Sequence, residues 1–310
     1  MEMDRIMATL ADRTADIEEQ VRVAPALIRY LGEGDYVTRR YVSQGAEMNT
    51  GDYVDHPVNV RDGMPIRDHF TIDTHGFTLG RHASAVTDFD DRDLVNRVYN
   101  REVEEVVKAM TGASFVVAQG WMIRTSADLT ARAAQKVENY QHVGGIQPPA
   151  GEAHIDYNPR TGAMVGERGY RQHRPDGPGF RRHICFSFWR TFSPGPQDWP
   201  LAVMDGRSIV GDELGSNTLF IVDEFPQGEA AIAPVPGEEE MIAASIFRYR
   251  PGHRWWYFSN MAADDVLLFK FFDSDQSTTW RCPHTAFHDG TMPGTHTRSS
   301  IEVRCTAYFE

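Results

Sequence analysis

An imidazole and a carboxylate stand two residues apart at His154-Ile155-Asp156, the one H-x-D triplet formed by the chain's twelve histidines. In extended backbone, residues i and i+2 project from the same face, so these two side chains aim at one point. Joined by a distant histidine, they make a set of two imidazoles and one carboxylate. Such a set holds Fe(II) on one face and leaves coordination positions open for a bidentate co-substrate and O2. Alone the triplet is weak, because chance supplies it and a hydrogen-bonded His–Asp pair at a strand end explains it too.

The far end of the chain strengthens it. The run RCPHTAF places His284 in a strand-like frame, and further on Arg298-Ser299-Ser300 opens the run SIEVRCTAYF. Period two puts Arg298, Ser300 and Arg304 on one strand face. A dicarboxylate co-substrate needs this chemistry: its keto-acid end chelates iron while its far carboxylate meets a guanidinium fork and a hydroxyl. In an antiparallel jelly roll the strands bearing His284 and Arg298 are neighbours in sequence and can be neighbours in space. His288 and His296 are rival ligands, but both sit among Asp, Gly, Pro and Thr and read as loop residues. Tyr157, Phe186, Trp189, Trp121 and Trp280 are candidates for an aromatic substrate wall or ordinary core. Arg190 either pairs a substrate carboxylate or closes a structural salt bridge.

These residues need elements to hold them. Residues 88–112 are expected to form an amphipathic helix, with an Asp-rich start, Leu94, Val95, Val98, Val103, Val106, Val107 and Met110 at helical spacing, and Gly112 as the stop. Residues 127–140 suggest a second, exposed helix. The Gly/Pro/Arg-rich stretch 158–182 reads as a long loop, its Arg168, Arg171, Arg174, Arg181 and Arg182 solvated or lying over a site. From about residue 180, short aromatic and β-branched runs alternate with turns, which argues for a β-sandwich or jelly roll. The expected fold is mainly β with helices (α+β). A single domain spans 1–310, with a helical and strand support over 1–140 and a jelly-roll core over 141–310.

Composition narrows the function classes. The formal net charge of −13 argues against nucleic acid as a partner. No apolar run is long enough to cross a membrane, and the acidic N-terminus lacks a secretory signal. Cys185, Cys282 and Cys305 are odd in number and form no CxxC pair, which argues against a disulfide framework or a cysteine zinc site and fits a cytoplasmic protein.

Taken in order, FTIDTHGFTL (70–79), RVYNREVEEVVKAMTGA (97–113), HIDY (154–157), FWR (188–190), QDWPLAVMDGRSI (197–209), HRWWYFSNM (253–261), DDVLLFKFFDS (264–274), RCPHTAF (281–287) and RSSIEVR (298–304) cover much of the chain. In these segments the chain resembles a family of iron/2-oxoglutarate oxygenases. That family includes the fungal gibberellin desaturase, the cephamycin methoxylation protein and fungal meroterpenoid endoperoxidase-type enzymes. The resemblance implies a double-stranded β-helix, iron on His154, Asp156 and His284, and 2-oxoglutarate anchored by Arg298. Ile155, Asn158 and Thr191 depart from the pattern, where a polar residue, a Ser or Thr, and a Pro are expected; these bear on substrate choice. Halogenases of this broad class replace the carboxylate with Gly or Ala, so Asp156 points to hydroxylation, desaturation or cyclisation of a small-molecule secondary metabolite. A partner-dependent helper subunit of a biosynthetic enzyme pair, or a homo-oligomer, suits the acidic surface as well, and a zinc hydrolase on the same ligands is the third alternative.

Overall fold

The computed structural model describes residues 17–43, 46–127, 146–211 and 214–310. The helix expected over 127–140 lies outside these residues except for its first position. Among the described residues the strands are, in chain order, β1 (Val23–Leu31), β2 (Arg39–Ser43), β3 (Ala46–Asn49), β4 (Tyr53–Asp62), β5 (Phe77–Arg81), β6 (Phe115–Thr125), β7 (Ile146–Gln147) and β8 (His154–Ile155). They continue with β9 (Arg182–Thr191), β10 (Leu201–Met204), β11 (Leu214–Ile221), β12 (Ala243–Phe247), β13 (Trp255–Tyr257), β14 (Asp265–Asp273), β15 (His284–Ala286) and β16 (Ser299–Phe309). Two sheets result, a larger one ordered β1-β4-β13-β10-β15-β8-β12-β11-β2-β3 and a smaller one ordered β5-β14-β9-β16-β6-β7. The protein is mainly β.

Side-chain alternation sorts the residues between two cores. On β14, Leu267, Phe269 and Phe271 join a core shared with Ala24, Val60, Val203, Phe247 and Trp255 of the larger sheet. Val266 and Leu268, one residue out of step, face the other way. There they meet the helix expected over 88–112. A turn at Arg92–Leu94, a wider turn at Val95–Tyr99 and α2 (Asn100–Thr111) follow one another, after the short α1 (Ile72–His75). Asp91 caps the start by accepting from Leu94 N–H, and Gly112 ends α2 with φ 71°. Val95, Tyr99, Val103 and Val107 form its buried stripe, each fully buried side chain contributing about 1.5–3 kcal/mol.

Two expectations are corrected. Among the described residues the front of the chain is not chiefly helical: β1 to β4 belong to the larger sheet, and both sheets mix strands from either side of residue 140. Residues Ala24, Ala26, Ile28 and Tyr30 of β1 alternate inward, and Pro25 is tolerated because β1 is an edge strand. The stretch 158–182 is not a long loop, since Pro159–His173 is a helix, α3. Asn158 caps it by accepting from Thr161 N–H, and Pro159 occupies its first turn. Its glycines, which look like helix breakers, form the packing face. A Cβ at Gly162 would lie 2.4 Å from Phe272, and one at Gly166 would lie 2.1 Å from the His183 ring.

Replacing Gly166 by Ala therefore forces α3 off the sheet. Urea unfolding of Gly166→Ala should show a loss of about 1–3 kcal/mol, the usual cost of overpacking; parent-like unfolding would mean that the helix is not seated there.

Candidate metal centre

The two histidines meet because their strands do. β8 is only two residues long, and it is paired on one side with β12 and on the other with β15, where His154 and His284 are direct cross-strand partners. Their rings are 4.4 Å apart between centroids. Asp156 follows β8 on the same face as His154, and its Oδ1 lies 3.4 Å from Nε2 of each histidine. All three side chains are almost fully buried.

Proton bookkeeping decides what this cluster wants. His154 Nδ1 lies 2.8 Å from the Glu152 carbonyl, which can only accept, so Nδ1 carries the ring proton. In the neutral ring, Nε2 then presents a lone pair to a carboxylate that also only accepts. His284 Nδ1 is buried without a partner among the described residues, so no acceptor there fixes its ring proton; a cation between His154 Nε2 and Asp156 Oδ1, a proton or a metal, satisfies both. Arg304 of the opposite sheet meets the other carboxylate oxygen, Oδ2, at 2.5 Å, which leaves Oδ1 for the cation. The residues fit a metal of the two-imidazole, one-carboxylate type.

Titration follows from the same contacts. Burial pushes the Asp156 carboxyl up, but Arg304 and the two histidines outweigh it and hold it well below the usual carboxylate range. Burial pushes His154 down, and the hydrogen bond and charge of Asp156 reverse that, so its net shift is upward. His284 moves down, through burial first and then the neighbouring His154.

A second group, Glu18, His69 and His75, has ligand atoms equally close together. It is a poor cation site. Thr71 N–H donates to His75 Nδ1 at 3.1 Å, so the neutral ring keeps its proton on Nε2. Burial, then the charge of Arg207, pushes this imidazole down to about 4. Glu18 is already neutralised by Arg207 at 2.9 Å and Arg254 at 3.3 Å.

Comparison with known proteins accords with this chemistry. Residues 30–308 match the family model of the oxidoreductase/YMDC permease-like domain. The hydroxylase/desaturase efuI of Hormonema carpetanum is 30% identical over 262 residues, which cover 83% of this chain and 85% of that one. The Fe(II)/2-oxoglutarate-dependent dioxygenase nvfI of Aspergillus novofumigatus is 28% identical over 264 residues, 82% of this chain and 83% of that one. The chain belongs to the iron(II)/2-oxoglutarate-dependent oxygenase family. A solved structure of the iron and alpha-ketoglutarate-dependent endoperoxidase NvfI shares its fold, with a TM-score of 0.70 and 23% identity over 93% of this chain and 98% of that one.

In this oxygenase, the cleft beside the histidines is lined by Arg124, His154, Trp189, His284, Arg298 and Glu302, among others. Arg298 is 1% exposed. One guanidinium nitrogen, Nη1, donates to the Trp199 carbonyl at 2.8 Å, and Nε is buried without a partner among the described residues. Trp189 lies 5.9 Å under the guanidinium. Burial, then the charge of Arg124, lowers Arg298 to about 9, so it stays charged at neutral pH. A buried cation without a carboxylate costs several kcal/mol, on the order of 3–5 kcal/mol when its partner is removed, and the site therefore favours an incoming anion.

The other expected site residues are placed as follows. His284 and Arg298 are not strand neighbours: β15 is in the larger sheet, and Arg298 precedes β16 in the smaller one, so they face each other across the interior. Ser300 is fully buried, and its hydroxyl donates to the Arg124 carbonyl at 3.4 Å. Tyr157 packs against Phe271 and lines a larger cavity on the Arg304 side. Arg190 is not at the site. It follows Trp189 by one residue and so points to the α2 face, where its Nη1 donates to the carbonyls of His82 and Ala263 at 3.1 and 3.2 Å and its guanidinium lies over Tyr99. Phe186 also faces that side. His288 and His296 are exposed. Arg124 and Glu302 were not singled out from the sequence; the period of two from Arg298 through Ser300 points to Glu302, whereas nothing local marks Arg124.

Metal competes with the His154 proton. Because that imidazole is raised above its ordinary value of 6.5, Co(II) or Fe(II) affinity should climb by about tenfold per pH unit until the proton is lost. By the same sign, the metal-free protein loses the His154–Asp156 contribution as pH rises through the raised value. Thermal unfolding with and without metal should therefore differ more at pH 8 than at pH 6 (roughly neutral range,), and a pH-independent affinity would contradict the assignment.

Proposed function

We propose that this oxygenase holds Fe(II) on His154, Asp156 and His284 and anchors the distal carboxylate of 2-oxoglutarate on Arg298, to hydroxylate, desaturate or cyclise a small molecule. The carrying observation is the convergence of two imidazoles and a carboxylate inside the sandwich, with a buried guanidinium whose Nε lacks a partner among the described residues in the same cleft. When bound, iron with 2-oxoglutarate and O2 supplies an oxidant able to take hydrogen from an unactivated C–H bond.

The chain's own residues do the rest. His154 is held in one orientation by the Glu152 carbonyl, and Arg304 occupies the outer oxygen of Asp156. Arg298, stacked over Trp189 and flanked by Arg124, offers the carboxylate a charged fork in a dry cleft. The interior strands form the double-stranded β-helix that carries these groups, within a single domain over 1–310. Three free, buried thiols fit a cytoplasmic setting.

Succinate formation and O2 uptake, measured with Fe(II) and 2-oxoglutarate and no partner protein, test the reading directly. His154→Ala and His284→Ala should bind no iron and form no succinate. Arg298→Ala should raise the 2-oxoglutarate needed for half-maximal succinate formation by on the order of ten- to a hundredfold, the worth of a charged hydrogen bond. Arg190→Met should leave that requirement alone and lower the unfolding midpoint. An unchanged requirement in Arg298→Ala, with its loss in Arg304→Ala, would sink the anchor assignment.

A further inference from the structure

The interior face of β16 runs past the metal cluster into a second space. Arg298 and Glu302 line the narrow cleft with the histidines; Glu302 and Arg304 line a cavity of about 460 Å³. At about 3.4 Å per residue, six residues separate the two arginines by roughly 20 Å, and Asp156 touches residues of both spaces, His154 and His284 of the cleft and Arg304 of the cavity. The cavity lies within the range of small-molecule sites, roughly 300–1,000 Å³.

Its wall is locally irregular. β16 pairs with β6 at Arg304↔Gly120 and then at Cys305↔Ala118, so Gln119 is the extra residue of a β-bulge. Gly120 takes φ 143°, a conformation that disfavours any side chain. Bulges re-aim side chains beside functional sites. Gln119 lines the cavity, and its Oε1 is buried with no hydrogen-bond partner. Met122, Val165 and Ile242 supply apolar wall, while the neighbouring Trp121 turns its indole to the other face, where Nε1–H donates to Asn96 at 2.7 Å. Of the two arginines lining the cavity, Arg304 is already tied to Asp156 and Glu302. Arg168, on α3, has no ion pair among the described residues.

We propose that this cavity is the substrate chamber and that it takes an amphipathic organic anion. The acidic group pairs with Arg168 at the rim, Gln119 hydrogen-bonds a polar group along the wall, and the apolar body lies between Met122 and Val165. This assignment rests on the oxygenase reading for which space faces the chemistry.

The test is fluorescence titration of the full chain, without iron or 2-oxoglutarate, using two probes of similar shape. One is the anion 1-anilinonaphthalene-8-sulfonate; the other is uncharged N-phenyl-1-naphthylamine. Arg168→Gln should weaken the sulfonate by at least about fivefold and leave the uncharged probe unchanged. Met122→Trp, which fills the chamber, should abolish binding of both; Val165→Trp from the opposite wall serves if that variant does not fold. Unchanged sulfonate affinity in Arg168→Gln, or parent-like binding by a folded filled variant, overturns the proposal. Neither result depends on succinate formation, so the failure of this assignment and of the oxygenase reading are told apart.

Discussion

A buried imidazole whose ring proton is already spent, facing a carboxylate that only accepts, is held to it by a cation between them. His154 has spent its ring proton on the Glu152 carbonyl, and Asp156 spends one oxygen on Arg304. What remains is a lone pair facing a carboxylate oxygen, with the His284 ring equally close to that oxygen. The short β8 and β15 exist to face the two imidazoles across a strand pair, and the opposite sheet supplies the guanidinium that keeps the carboxylate from drifting. By contrast, the Glu18, His69 and His75 group is closed on itself by arginines and an inward-facing proton. Proximity of ligand-type residues is thus common to both, and only the placement of protons separates them.

Strand alternation distributes the rest of the chemistry. On β16, Ile301, Val303, Cys305 and Ala307 pack toward α2, which leaves Ser300, Glu302, Arg304 and Thr306 for the interior. The two arginines of this face region have opposite circumstances. Arg304 is paired with carboxylates, whereas Arg298 is buried with an idle N–H. In a low-dielectric cleft the second condition is unfavourable for the protein alone and favourable for an arriving anion.

Much of the site was legible because period two is a strong rule over short distances. It linked His154 to Asp156, and it placed Arg298 with Ser300 and Arg304. Applied consistently, it also excludes Arg190 once Trp189 faces inward. The helix over 92–111 was legible from its valine spacing and the terminal Gly112. What was not legible depended on partners distant in the chain. Gly162 and Gly166 look like breakers until Phe272 and His183 are seen to need the space. Gln119 carries no mark of a bulge, because the extra residue exists only relative to β16. The front strands were underestimated for a similar reason: β1 finds its place only beside β4.

β1 has a second role that concerns how such enzymes can be recombined. Its Arg29 carbonyl accepts from Ala153 N–H at 2.8 Å, and Arg29 forms an isolated bridge with Glu152, the residue whose carbonyl orients the first imidazole. The opening strand therefore buttresses the backbone one step away from His154. A chimera joined near residue 140 would have to match this brace as well as the back half, because a foreign front segment would bear on the backbone that orients His154.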